Sequence, residues 1–236
     1  MNATVPFHDL AASVAPASGP FAGLGAGATR DDTRYRLVRA AIGVFAKQGY
    51  HGASTREICE RAGANSAAIH YHFGDKAALY QALFQLPMQQ ILEVSRWMDD
   101  AALPRTDRLR HFYRGMLSVL GCDEVSRQLM LLHAREQVEP SGVLGSTQTQ
   151  AIRPYHDRLT LLLCREFKLT APDEALHALA FAMVGLGTIY FLVRPEVEAF
   201  APGLLATPEA REVLVERSAL FGAALIEAEQ RRRGAL

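Results

Sequence analysis

The chain has 236 residues, 49% hydrophobic and 21% charged, the balance of an ordinary soluble globular protein with one or two domains. Its 25 Lys/Arg offset 25 Asp/Glu, so no overall field draws it to nucleic acid or membrane, and charge has to be read locally. Three widely spaced cysteines (Cys59, Cys122, Cys164) with no C-x-x-C argue against a disulfide framework or a zinc clip, and read as small buried hydrophobes in a reducing compartment.

Residues 1–29 carry no Lys or Arg and are rich in Ala, Gly, Pro and Ser. A secretory leader needs a basic start, so this stretch reads as a disordered tail. Residues 30–86 then hold eight Lys/Arg against five acids, a local balance of +3, while residues 87–236 hold 17 against 19. A mildly basic segment precedes a mildly acidic body.

The first helix is marked by Leu37, Ala40, Ala41, Val44 and Phe45, one stripe at helical spacing. Asp31, Asp32 or Thr33 can cap its start and Gly49 can end it. A second helix starts at the capping box Ser54-Thr55-Arg56-Glu57 and stops at Ala62-Gly63. After a short turn, Asn65 is the expected cap of a third helix that runs to Phe73 and Gly74. Asp75 is expected to cap a fourth, and Pro87 to kink or end it. Two short helices behind an amphipathic one, joined by a Gly-containing turn, form a helix-turn-helix pattern.

Cations sit where helix dipoles disfavour them, with Arg56 in the first turn of the second helix and Lys76 in the first turn of the fourth. Beside free N–H groups such cations can grip phosphate. On the third helix, Ile69 and Phe73 mark a buried face, while Ser66, Ala67, Ala68, His70, Tyr71 and His72 form or flank the outer one. His70 and His72 lie about 200° apart and cannot share a metal ion, and no nucleophile with its base is evident. No metal, cofactor or catalytic set is therefore expected. Small residues and polar rings suit a helix lying in a major groove, with Thr55, Arg56 and Lys76 at phosphates.

The stretch TREICERAGANSAAIHYHFGDKAALY resembles the DNA-binding domain of TetR/AcrR-family transcriptional regulators. Thr55, Ile58, Ala62, Gly63, Phe73, Lys76 and Leu79 match the family pattern. Departures include Cys59, Ala64, Asn65, Ala67, Ile69, His72 and Asp75, and His70 stands where the family carries tyrosine. The variant N-x-A-A-I-x-Y-x-F-G and the later REQVEPSG are similar to the CecR-like branch. The resemblance implies a ligand-binding and dimerisation domain after the DNA-binding one. It also implies a repressor released by a small-molecule effector, with transporter or efflux genes and its own gene among the targets.

Further helices are expected at about 107–120, 123–137, 146–167 (with Pro154 inside), 173–193 and 207–232. The run Ala178 to Val193 is 16 residues without a charge, short of the roughly 20 a membrane span needs, so no membrane partner and a cytoplasmic location are expected. A helix apolar all round must be buried on every side. Gly185 and Gly187 would admit a partner helix, and Val213, Leu220 and Ala224 with Leu214, Phe221 and Leu225 give the last helix a matching stripe. A homodimer through these two helices is the expectation. Polar and aromatic residues in otherwise apolar helices (Trp97, Phe112, His133, Arg135, Glu136, Tyr155, His156) are the effector-site candidates.

The fold expected is thus all-α: a tail over 1–29, a helix-turn-helix domain over 30–86, and an effector-binding and dimerisation domain over 87–236. Its partners are an operator duplex, a second copy and a small molecule. The alternatives are a helical enzyme built on Arg135, Glu136, Tyr155 and His156, or an interaction module without DNA binding.

Overall fold

The computed structural model describes residues 33–100, 102–121 and 124–234. The tail, Asp31, Asp32 and Cys122 lie outside the described residues. Ten α-helices and two 3-10 turns, with no strand, make up the regular structure of the described residues. They run α1 Thr33–Gly52, α2 Thr55–Ala62, α3 Ala68–Phe73, α4 Lys76–Val94, α5 Arg105–Leu117, α6 Glu124–Val138, α7 Thr147–Phe167, α8 Glu174–Leu192, α9 Arg194–Phe200 and α10 Pro208–Arg232.

Local chemistry sets most of the starts and stops. Ser54 Oγ accepts from the Glu57 N–H at 3.1 Å and opens α2. Gly63, in the left-handed region at φ 60°, closes it by donating to the carbonyls of Cys59 and Glu60. Asp75 Oδ1 takes the Ala78 N–H at 2.7 Å and opens α4. Asp173 caps α8 through the Leu176 N–H, and Thr207 caps α10 through the Ala210 N–H, with Pro208 at the first helical position.

Two expectations need correction and two are met in part. Glu57 does not reach back to complete the capping box, because its carboxylate is taken by Gln48 Nε2 and by Arg61. Asn65 caps no helix: its Oδ1 binds the Ala67 N–H in a tight turn, and α3 begins only at Ala68. Gly49 breaks the helical dihedrals at φ 69°, yet one more turn follows to Gly52. Of the two outcomes expected at Pro87, a kink or an end, the end does not occur: α4 continues to Val94. The short helix α9 and the turn Arg96–Asp99 lie outside the expected helices, and Ser118–Gly121 is a 3-10 turn where the helix expected over 107–120 ends.

Two hydrophobic clusters hold the fold. The first packs Leu37, Val38, Ile42 and Phe45 of α1 against Ile58, Ile69, Leu79, Tyr80 and Phe84, and takes in Leu129 and Leu132 of α6 and Leu144 beyond it. The second gathers Leu109 and Tyr113 of α5, Leu159 and Leu163 of α7, Leu176 and Met183 of α8, and Leu214 and Ile226 of α10. Cys59 and Cys164 are free and buried, one in each cluster.

Helix α6 and the segment after it are bound to the first cluster by polar bonds as well as apolar ones. The buried Glu136 carboxylate accepts from Tyr80 Oη at 2.7 Å and from the N–H and Oγ of Ser141, each at 2.9 Å. Gln81 Nε2 donates to the Val143 carbonyl, and His51 Nε2 to that of Ser141. The segment after α6 is thereby strapped to α1 and α4. It is the same REQVEPSG stretch singled out in the sequence.

Candidate nucleic-acid interface

Helix α3 is only six residues long and owes its position to tertiary packing, since so short a helix is not stable alone. Ile69 anchors it at 3% exposure. Gly74, at φ 92°, ends it and turns the chain into α4. On the far side, Tyr71 is 84% exposed, beside the exposed Ser66, Ala67 and His70. His72 is half-buried and meets the Tyr71 ring edge-on at 4.9 Å. Ala68 departs from the outward set: it is 7% exposed and belongs to the first cluster. Ala68 stands about 100° from Ile69 around the helix, and its methyl group is covered by the same cluster.

Arg56 and Thr55 are exposed at the start of α2. Arg56 Nε donates to Glu60 Oε1 at 2.8 Å, and that bond raises its already high pKa. Any phosphate reaching Arg56 competes with this exposed carboxylate. Lys76 is held differently. Its ammonium lies 4.5 Å from the centre of the Tyr50 ring, and partial burial lowers its pKa.

A further cation, outside the expected set, stands at this face. Arg36 of α1 donates to Thr33 Oγ1 at 3.1 Å, and its guanidinium stands beside Gly63 at the turn between α2 and α3. Together with Thr33, Asn65, Ala67, Tyr71 and His72 it lines an open groove of about 430 Å³. Its stripe position on α1 carries no hint of this, because the turn is brought to it by tertiary packing.

The effector candidates fall into separate places. His133, Arg135 and Glu136 sit on α6 against the first cluster. The His133 ring stacks on Phe84 at 4.3 Å and bonds the Leu83 carbonyl, and burial pushes its pKa down to about 4. Arg135 pairs with Glu139 and packs over Gly49. Trp97 and Phe112 line a cleft with Arg105, Arg108 and Glu166 that leaves about 10 Å³, room for roughly one water. His156 bonds His177 at 2.9 Å and stacks on Phe181. Burial raises the Tyr155 pKa. Arg135 and Glu136 thus have partners around the first cluster, and His156 on α7 has its own on α8. Tyr113 Oη and Ser218 Oγ are buried in the second region with no hydrogen-bond partner among the described residues. Nothing in the spacing of the chain singles these two out.

A second open surface lies on α8 and α10. The run Ala178 to Val193 is not buried all round in the single chain. Leu179, Ala180, Met183 and Phe191 face the core, while Phe181 is 65%, Ile189 44% and Leu192 53% exposed. On α10, Val213, Leu220 and Phe221 are exposed, whereas Leu214 is buried. The two glycines divide likewise. A side chain on Gly187 would strike Met116 at 2.9 Å, but one on Gly185 would meet nothing within 4 Å. Helix α8 is long and apolar enough to cross a membrane, by length and composition only, and one of its faces is packed in the second cluster. Among the described residues no group of three or more His, Cys, Asp or Glu could hold a metal ion.

Residues 37–83 match the family model for bacterial regulatory proteins of the tetR family. Residues 105–224 match that for the C-terminal domain of the HTH-type transcriptional dual regulator CecR. The CecR regulator of Shigella flexneri is 29% identical over 199 residues, 80% of this chain and 88% of its own. The HTH-type transcriptional activator FasR of Mycolicibacterium smegmatis is 35% identical over 160 residues, 68% of each chain. The crystal structure of the TetR family transcriptional regulator PfmR from Thermus thermophilus superposes with a TM-score of 0.59 at 16% identity, covering 83% of this chain and 96% of that one. It shares the fold.

Proposed function

The chain belongs to the TetR family of bacterial transcriptional regulators, and from that premise we propose that it is a homodimeric repressor in the cytoplasm that binds a specific operator and is released by a small-molecule effector. That family is one of regulators rather than enzymes. The observation carrying the operator-binding reading is the outer face of α3: small and polar side chains, held out by a core on the opposite side, with Arg36 in the same groove. In the proposal Ser66, Ala67, His70, Tyr71 and His72 meet base edges, and Thr55, Arg56, Lys76 and Arg36 meet phosphates. Residues 30–86 act as the DNA-reading head and 87–236 as the body, with α6 and its strap shared between them.

The dimer surface is the apolar face of α8 and α10. A second copy with the same face would cover Phe181, Ile189, Leu192, Val213 and Leu220 across a two-fold axis. The effector enters the second cluster near Trp97 and Phe112, where the present cleft must widen. Transporter or efflux genes and the protein's own gene are the proposed targets. Retention of genomic fragments by the purified protein, followed by transcription from the retained promoters with and without it, tests the reading. Enrichment of a near-palindrome and lowered transcription support repression. Raised transcription overturns the sign, and retention without sequence preference overturns the operator.

A further inference from the structure

On the outward face of α3, the fold selects the tautomer of the neutral His70 ring. Its Nδ1 lies 2.6 Å from the Gly74 carbonyl oxygen. A carbonyl oxygen only accepts, so the contact requires the proton on Nδ1. In the neutral ring the other nitrogen, Nε2, then carries a lone pair and no hydrogen. Gly74 is held in place by its own N–H, which donates back to the His70 carbonyl at 2.9 Å, and by a φ of 92° that suits glycine. The imidazole is thus tied to the last turn of α3, with its ring exposed. Tyrosine, which the family carries at this place, offers a hydroxyl that both donates and accepts. His70 in this tautomer offers an acceptor alone.

We propose that His70 is a specificity-determining residue that reads an exocyclic amine, the N6 amino group of adenine or the N4 amino group of cytosine, through its Nε2 lone pair. The inference rests on the reading of α3 as the DNA-contacting helix. In the major groove adenine and cytosine present those amines as donors, whereas guanine O6 and N7 and thymine O4 are acceptors. An acceptor on the protein facing an acceptor on the base is repelled. The tether to Gly74 therefore selects for A or C and against G or T at one position in each half-site. Ala67 has only a methyl group, and the hydroxyls of Ser66 and Tyr71 tolerate either partner, so neither supplies this discrimination.

The experiment uses the full-length protein and a random duplex library at neutral pH. Duplexes enriched by the wild type define the half-site. Each adenine is then replaced by purine, which lacks the amine, and each cytosine by 2-pyrimidinone. Affinities are measured for the wild type and for His70→Ala. One amine per half-site should cost about five- to tenfold when deleted against the wild type, and about nothing against His70→Ala. His70→Gln, whose amide both donates and accepts, should keep binding but relax the choice at that position. Coupling of His70 to a guanine or thymine, or to no position of an enriched site, overturns the inference and leaves the operator reading standing. Failure to enrich any duplex overturns both.

Discussion

The molecule turns two exposed faces outward, and they differ in kind. The face of α3 is small and polar around the rings of His70, Tyr71 and His72, while that of α8 and α10 is aliphatic and aromatic over several turns. Both are backed by a packed cluster, so neither is exposed for want of a core. A polar face with single hydrogen-bonding groups suits a wet surface whose identity must be read, such as a groove edge. A broad apolar face suits permanent burial against a like surface. In the proposed function the first face makes a contact that comes and goes and the second one that stays.

The largest expected effect lies on the apolar face. Phe181→Glu together with Leu220→Glu should put two charges into the proposed dimer surface and give a folded monomer by sedimentation, with helicity kept. A dimer that survives both would move the interface elsewhere. The glycines sharpen the same point. A side chain on Gly222 would meet the fully buried Tyr113 at 2.8 Å, so Gly222→Val should cost about 2–3 kcal/mol in urea unfolding. A Cβ added at Gly185 meets nothing within 4 Å among the described residues, so Gly185→Val should leave the monomer's fold intact while weakening the dimer.

On the polar face, Tyr71→Ala should cost about 2 kcal/mol on an enriched operator and little on random duplex. Lys76→Ala should weaken both alike and lower the salt slope by about one per protomer. Selective loss of operator binding by Lys76→Ala, with Tyr71→Ala silent, would reverse the reading and gripping roles.

The smallest effect concerns α6, where it packs on the first cluster. The His133 pKa lies at about 4 in the folded chain, held down by burial, against about 6.5 when unfolded. The unfolded chain therefore takes up the proton first. Stability is full above about pH 6.5 and falls as pH drops toward about 4, by about 1–2 kcal/mol at pH 5. His133→Gln should flatten that slope. An unchanged slope would place its origin in other groups.

What the sequence made legible was local. The Ser54 and Asp75 caps, the Gly63 stop and the helix pattern follow from neighbours a few residues apart. What it hid depends on distant residues meeting. The outward turn of Phe181 and the inward turn of Leu179 look alike in a run of apolar residues, and only the packing of neighbouring helices decides between them. Gly185 and Gly187 differ only because Met116 lies against one. The Tyr80–Glu136 bond joins residues 56 apart, so Glu136 reads from sequence as an effector candidate while the fold uses it to hold the strap. Arg36 reaches the turn before α3 for the same reason.

The central claim, two α3 helices presented together by one apolar interface, is tested most directly by the mass of the complex on an enriched duplex, measured by analytical ultracentrifugation. Two protomers on each duplex, with half-sites about 34–36 Å apart, are expected. The Phe181→Glu, Leu220→Glu monomer should then bind that duplex far more weakly than the wild type. A single wild-type protomer per duplex, or full operator affinity in the monomeric variant, would contradict it.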